Sequence, residues 1–222
     1  MKTTSKILFS LITLGMAIET IAQDETEAVP EMGFFVTSVG IGDGANLGGL
    51  EGADAHCQKL AEAAGSEGRS WRAYLSTQAT SDAAAIHARD RIGAGPWHNH
   101  AGDVIGANID DLHYNNANIN YMKATDENGH TVNSGGMKNN PNKHDILTGS
   151  QLDGTAFGPE EDRTCSNWTT SGEGTGWVGH HDRFRRTTPG SSWNSVHPTL
   201  GCDQEALVST GGAGLFYCFA AD

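Results

Sequence analysis

Four cysteines constrain this chain more than any other feature. Cys57 stands alone upstream, while Cys165, Cys202 and Cys218 crowd toward the C-terminus. No C-x-x-C pair occurs, which argues against a thiolate zinc site. An even number of cysteines in an exported chain reads as two disulfides, and the sequence leaves three connectivities open. In the chain-entropy model, closing loops of this size would contribute about 4 kcal/mol each, enough to matter to a loop-rich fold.

Export is read from the N-terminus. Lys2 and Lys6 precede an apolar run over residues 7–18, followed by the small and polar Thr20-Ile21-Ala22. Residues 1–22 therefore read as a secretory signal with cleavage after Ala22, giving a secreted or periplasmic location. The apolar run is shorter than the roughly 20 residues of a membrane-spanning helix, and no later segment approaches that length. The formal charge of −13 disfavours nucleic acid, heparin-like polyanions and anionic membrane as partners, each being negative itself.

Residues 23–32 read as a flexible acidic lead-in, and residues 33–222 as one domain. Within it, 34–39 reads as a strand, 40–52 as a glycine-rich loop, and 54–64 as a helix capped by Asp54 and stopped at Gly65. Cys57, Leu60, Ala61 and Ala64 share one helix face. Residues 71–76 alternate as a strand, and 81–91 read as a second helix capped by Ser81. Periodicity then fades over 95–142, apart from a helical patch at 107–112 and a turn at Asn128-Gly129, so this stretch is expected to be a surface excursion. A short strand at 144–150, a central strand at 164–169, a loop at 172–179 and a closing strand at 214–220 complete the reading.

Motifs for catalysis are sparse. There is no H-E-x-x-H, no G-x-S-x-G and no phosphate-binding loop. His180-His181-Asp182 is the most reactive-looking run, yet neighbouring strand residues point to opposite faces, so His180 and His181 are not expected to share a metal. The run reads as a polar turn, and the ten histidines as scattered. A hydrolase built on His180, His181 and Asp182 would require those side chains to converge. The Asn167-Trp168-Thr169 sequon reads as coincidental beside a cysteine. Aromatic rings in polar surroundings can stack on sugars. Trp97 beside His98 and Asn99, Trp177 beside Gly176, and Trp193 beside Asn194 fit that description, whereas Trp71 and Trp168 read as core.

Taken together, Cys57 on the first helix, Thr164-Cys-Ser-Asn-Trp168, Trp193-Asn-Ser195 ahead of Cys202, and Leu215-Phe-Tyr-Cys218-Phe at the end resemble the C-type lectin-like fold. The nearest version is the endostatin domain of collagens XV and XVIII, with a further likeness to a family of exported bacterial lectin-like proteins. The resemblance implies an α+β fold in which two helices flank a twisted, mainly antiparallel sheet. It also implies the nested disulfides Cys57–Cys218 and Cys165–Cys202. In the family's sugar-binding members, a Glu-Pro-Asn type motif, of which none occurs here before Cys165, and a Trp-Asn-Asp motif hold calcium. Here Trp193 and Asn194 match, Ser195 replaces the aspartate, and Asp162 supplies a carboxylate in the region of the missing motif. The resemblance thus makes Asp162 and Asn194 candidate calcium ligands. It implies a non-enzymatic module binding a glycan or an extracellular protein, with Trp97, His98, Asn99, Asp162, Trp193, Asn194 and His197 as candidate contacts. The alternative is a structural or protein-interaction domain on the same scaffold.

Overall fold

The computed structural model describes residues 28–114, 117–135, 141–183 and 191–222. The expected signal and residues 23–27 of the lead-in lie outside the described residues. The fold is mixed α+β, with four helical segments and two sheets among the described residues. Its organising strand is β8 (Gly212–Ala220), which pairs with β1 (Phe34–Val36) and β2 (Trp71–Ala73) antiparallel, and with β5 (Asp145–Leu147) parallel. Outward from β5 lie β6 (Trp177–His180) and β7 (His197–Pro198), both antiparallel, giving the order β1-β8-β5-β6-β7.

The closing strand is apolar throughout because both of its faces are covered. Phe216, Cys218 and Ala220 enter one core with Phe35, Cys57, Trp71, Leu147 and Trp168. Leu215, Tyr217 and Phe219 enter a second with Phe34, Tyr74, Trp97, Ile105 and Trp193. Both disulfides form in the nested pattern, Cys57–Cys218 and Cys165–Cys202. The first fastens α1 (Gly49–Ala63) to β8 across 161 residues.

The second core corrects the expectation for residues 95–142. Trp97, Ile105, Leu112, Ala117, Ile119, Ala124 and Val132 are all buried in it, so the stretch is a covering layer rather than a surface excursion. Its short elements are β3 (Trp97–His98), β4 (Val104–Gly106) and α2 (Ile109–His113), the last capped where Asn108 Oδ1 accepts from Asp111 N at 2.9 Å. Side-chain capping and turn bonds replace the long apolar periodicity that would have announced it. The turn at Asn128-Gly129 forms, with Gly129 N donating to Asp126 O at 3.0 Å.

Three further expectations change. Asp54 is not a helix cap: α1 starts at Gly49, and the Asp54 carboxylate accepts from Ala73 N, Arg72 and Arg91 at 2.7–2.9 Å. Residues 81–91 do not form an α-helix, because Thr80 Oγ1 draws in the amides of Asp82 and Ala83 and leaves only a 3₁₀ turn at Ala88–Asp90. Residues 165–168 are no strand; they form α3 (Cys165–Trp168), a single left-handed turn with φ between 47° and 67°. That conformation costs roughly 1–2 kcal/mol for each L-residue. Local bonds offset it: Thr164 Oγ1 accepts from Asn167 N, the Trp168 indole donates to Ser76 O, and the Asn167 amide brackets the backbone of Gln78. The sequon side chain is thereby engaged. Finally, α4 (Gln204–Thr210) runs from an Asp203 cap to a left-handed Gly211.

Candidate metal centre

Strand register brings three chemically active side chains together. Directly opposed residues of antiparallel strands share a face, and so do residues two apart along one strand. Asp145 on β5 opposes His180 on β6, and Val178, two residues before His180, opposes His197 on β7. Asp145, His180 and His197 therefore project from one side of the sheet. Their Nε2 and Oδ1 atoms lie close: His180 to Asp145 3.0 Å, His197 to Asp145 3.6 Å, and His180 to His197 3.2 Å.

The opposite face of β6 is equally constrained. Gly179 meets the backbone of Trp193 and Asn194, and a Cβ there would sit 1.9 Å from Trp193 O. The close approach lets the 192–196 segment cross β6 and deliver His197 to the far side, with His180 N donating to Ser192 O and Val196 N to Val178 O.

His144 and Asp182 join the group. The His144 ring stacks on His180 at 4.2 Å between centroids and 14° between planes. Its Nε2 is 3.1 Å from Asp145 Oδ1 and its Nδ1 is 3.4 Å from Asp182 Oδ1. His181, between His180 and Asp182, points the other way, buried, with Nε2 3.3 Å from Asn133 O. The alternation expected at His180-His181 is thus observed, whereas the expected scatter of the histidines is corrected: His144, His180 and His197 converge from three separate segments.

The Asp145 carboxylate is 2 % exposed, yet neither oxygen has a hydrogen-bond donor in line with it. The imidazoles approach within contact but out of hydrogen-bond alignment, so charge proximity rather than directed bonding holds them. A buried carboxylate without a donor is costly. Burial raises the Asp145 pKa, but the neighbouring imidazoles outweigh it and keep the group well below the usual carboxylate range. For His144, burial lowers the pKa, and Asp145 with Asp182 outweighs it, pushing the group up to about 9. Asp145 likewise raises His197 against its burial. Asp182 falls to about 2, since His144 outweighs burial, and burial pushes His181 down to about 4.

The spacing fits a metal ion. Tetrahedral zinc, with bonds of about 2.0–2.2 Å to nitrogen and oxygen, holds its ligand atoms about 3.3–3.6 Å apart. The three observed separations, 3.0, 3.2 and 3.6 Å, lie within about 0.3 Å of that range. Two imidazoles and one carboxylate suit zinc and its first-row neighbours; calcium takes six to eight oxygens.

No family model matches this chain, and no curated protein matches it. The remaining candidate residues are therefore placed by their own contacts. Trp97 and Trp193 are core side chains, 1 % and 3 % exposed, whose indoles donate to Ile92 O and Ala220 O, and to Leu112 O. Neither offers a ring face to a sugar. Trp177 is half-buried, with Arg163 over its ring and Phe157 against it. His98 is half-buried on β3. Asn99 is buried and organises its own loop, accepting from Ala101 N and Asp103 N. Asn194 is buried and donates to Tyr74 Oη, Gln151 O and Leu152 O. Asp162 accepts from Thr164 N and Ser166 N at the rim of a polar pocket with Gln78 and Asn167. Asp162 and Asn194 thus belong to separate hydrogen-bond networks. Of the candidates, His197 alone enters the histidine cluster. His144 precedes β5 and Asp145 opens it, so a charged residue ahead of the buried Ile146-Leu147 was the available signal.

Proposed function

We propose that this chain is an exported, non-enzymatic binding module whose working centre is a divalent transition-metal ion of the zinc class, held by Asp145, His180 and His197. The observation that carries this reading is the buried Asp145 carboxylate, which lacks an aligned donor and is ringed by imidazole nitrogens at 3.0–3.6 Å. Three protein ligands leave a fourth position for an oxygen of a bound partner. His197, with 34 % of its side chain exposed, puts that position at the surface. The two nested disulfides support export and the lectin-like scaffold. On this reading the partner is a glycan or an extracellular protein, bound through the metal rather than through Trp97 or Trp193.

Isothermal titration of the disulfide-bonded chain with Zn²⁺, Co²⁺ and Ca²⁺ tests the proposal. One equivalent of zinc or cobalt is expected, with no calcium uptake, and Asp145→Ala or His180→Ala should abolish it while the disulfides stay formed. Absence of zinc binding, or binding unchanged in both variants, would refute it.

A further inference from the structure

Resting on that metal reading, we infer that His144 and Asp182 form the outer shell of the centre, with His144 as the positioning residue for Asp145. Metal-bound groups are held in place by a second layer of polar contacts, and loss of such a partner commonly weakens metal binding 10- to 100-fold. For Asp145 that contact is one of charge and position, because no donor, His144 included, is aligned with its buried oxygens. His144 is the group that joins the two carboxylates, with Nε2 3.1 Å from Asp145 Oδ1 and Nδ1 3.4 Å from Asp182 Oδ1.

The ring has little freedom to leave that position. One face stacks on His180. Close by lies Gly211, where an added Cβ would come within 3.0 Å of the His144 ring. The backbone is fixed as well: His144 N donates to Asn142 Oδ1, and His181 N donates to His144 O. This last bond ties the start of β5 to the residue between His180 and Asp182, so one backbone contact places a metal ligand and an outer-shell carboxylate on either side of His144. Asp182 itself is 8 % exposed, consistent with an internal partner and not a solvated surface charge. His144 thereby acts on Asp145 from outside the coordination sphere, and the ion keeps its open position.

The test measures zinc affinity by competition with a chromogenic chelator and records the visible spectrum of the cobalt-loaded protein. Asp182→Asn is expected to weaken zinc 10- to 100-fold at unchanged one-to-one stoichiometry, leave the cobalt bands in place, and be rescued to within a few-fold by Asp182→Glu. His144→Ala should weaken zinc similarly with the same cobalt spectrum. Wild-type affinity in Asp182→Asn overturns the inference, as does a cobalt spectrum that loses nitrogen-donor character in His144→Ala, which would make His144 a ligand. Failure of the wild-type chain to bind zinc removes the metal reading itself, a result distinct from either. Melting curves recorded in chelator identify any variant that fails to fold, in which case the other of Asp182→Asn and His144→Ala carries the comparison.

Discussion

Gly179→Ala should damage both the fold and the metal centre. The new Cβ would lie 1.9 Å from Trp193 O, 2.3 Å from the Trp193 carbonyl carbon and 2.5 Å from Asn194 Cα. Ordinary contact between such atoms is about 3.5 Å, so the 193–194 backbone must retreat by about 1.5 Å. That segment carries the bonds from Tyr217 Oη to Trp193 O at 2.8 Å and from Thr148 Oγ1 to Asn194 O at 2.6 Å. Overpacking costs about 1–3 kcal/mol, and two weakened buried hydrogen bonds add about 1 kcal/mol each. The total, about 3–5 kcal/mol, corresponds to a Tm lower by about 6–20 °C for a domain of this size. Because β7 follows directly, His197 should also lose its place beside Asp145, and zinc affinity should fall at least tenfold. Thermal unfolding in chelator and in excess zinc reads both effects. A melting temperature within 1 °C of wild type, with unchanged zinc stabilisation, would show that the Gly179 contact neither limits packing nor places His197.

Other perturbations separate the roles assigned above. Metal-free protein should lose stability as pH rises from 6.5 to about 9, because His144, raised to about 9, and His197, also raised, bind protons more tightly folded than unfolded. Zinc must displace the proton of its ligand His197, whose pKa is raised, so its stabilisation should grow as pH rises above 6.5, and melts in chelator and in zinc should diverge with pH. On the acid side, His181, lowered to about 4, should cost stability as pH falls below 6.5. Asp54→Ala should cost about 3–5 kcal/mol in denaturant unfolding, the loss expected for a broken buried ion pair, and not the roughly 1 kcal/mol of a helix cap. Trp97→Ala and Trp193→Ala should each cost about 3–5 kcal/mol as core truncations; a variant of either that keeps wild-type stability would contradict the packing described.

The frame was legible because its signals are local. The continuous apolar run at Leu215-Phe216-Tyr217-Cys218, the helix face through Cys57 and Ala61, and the nested cysteines implied by the family resemblance correspond to the observed strand, helix and disulfides. The covering layer was not legible, since Trp97 and Ile105 enter the core from strands of two and three residues and Ile119 and Val132 from irregular backbone, too short or too irregular to carry periodicity. The left-handed turn at 165–168 was equally hidden: its conformation is set by partners at Gln78 and Ser76, far away in sequence. The histidine cluster failed to show for a similar reason. Asp145, His180 and His197 are brought together by register across β5, β6 and β7, and register between distant strands leaves no mark in the spacing of residues along the chain. Polar Trp97 and Trp193 surroundings misled because each indole N–H finds a buried carbonyl, which allows a tryptophan with polar neighbours to sit in the core.

The most direct test of the metal centre is anomalous diffraction at the zinc edge from crystals of the disulfide-bonded chain grown with one equivalent of zinc. A single strong peak is expected about 2.0–2.2 Å from Asp145 Oδ1, His180 Nε2 and His197 Nε2, with His144 outside the coordination sphere. No peak at that position, or a peak bound instead by exposed carboxylates elsewhere, would contradict the proposed centre.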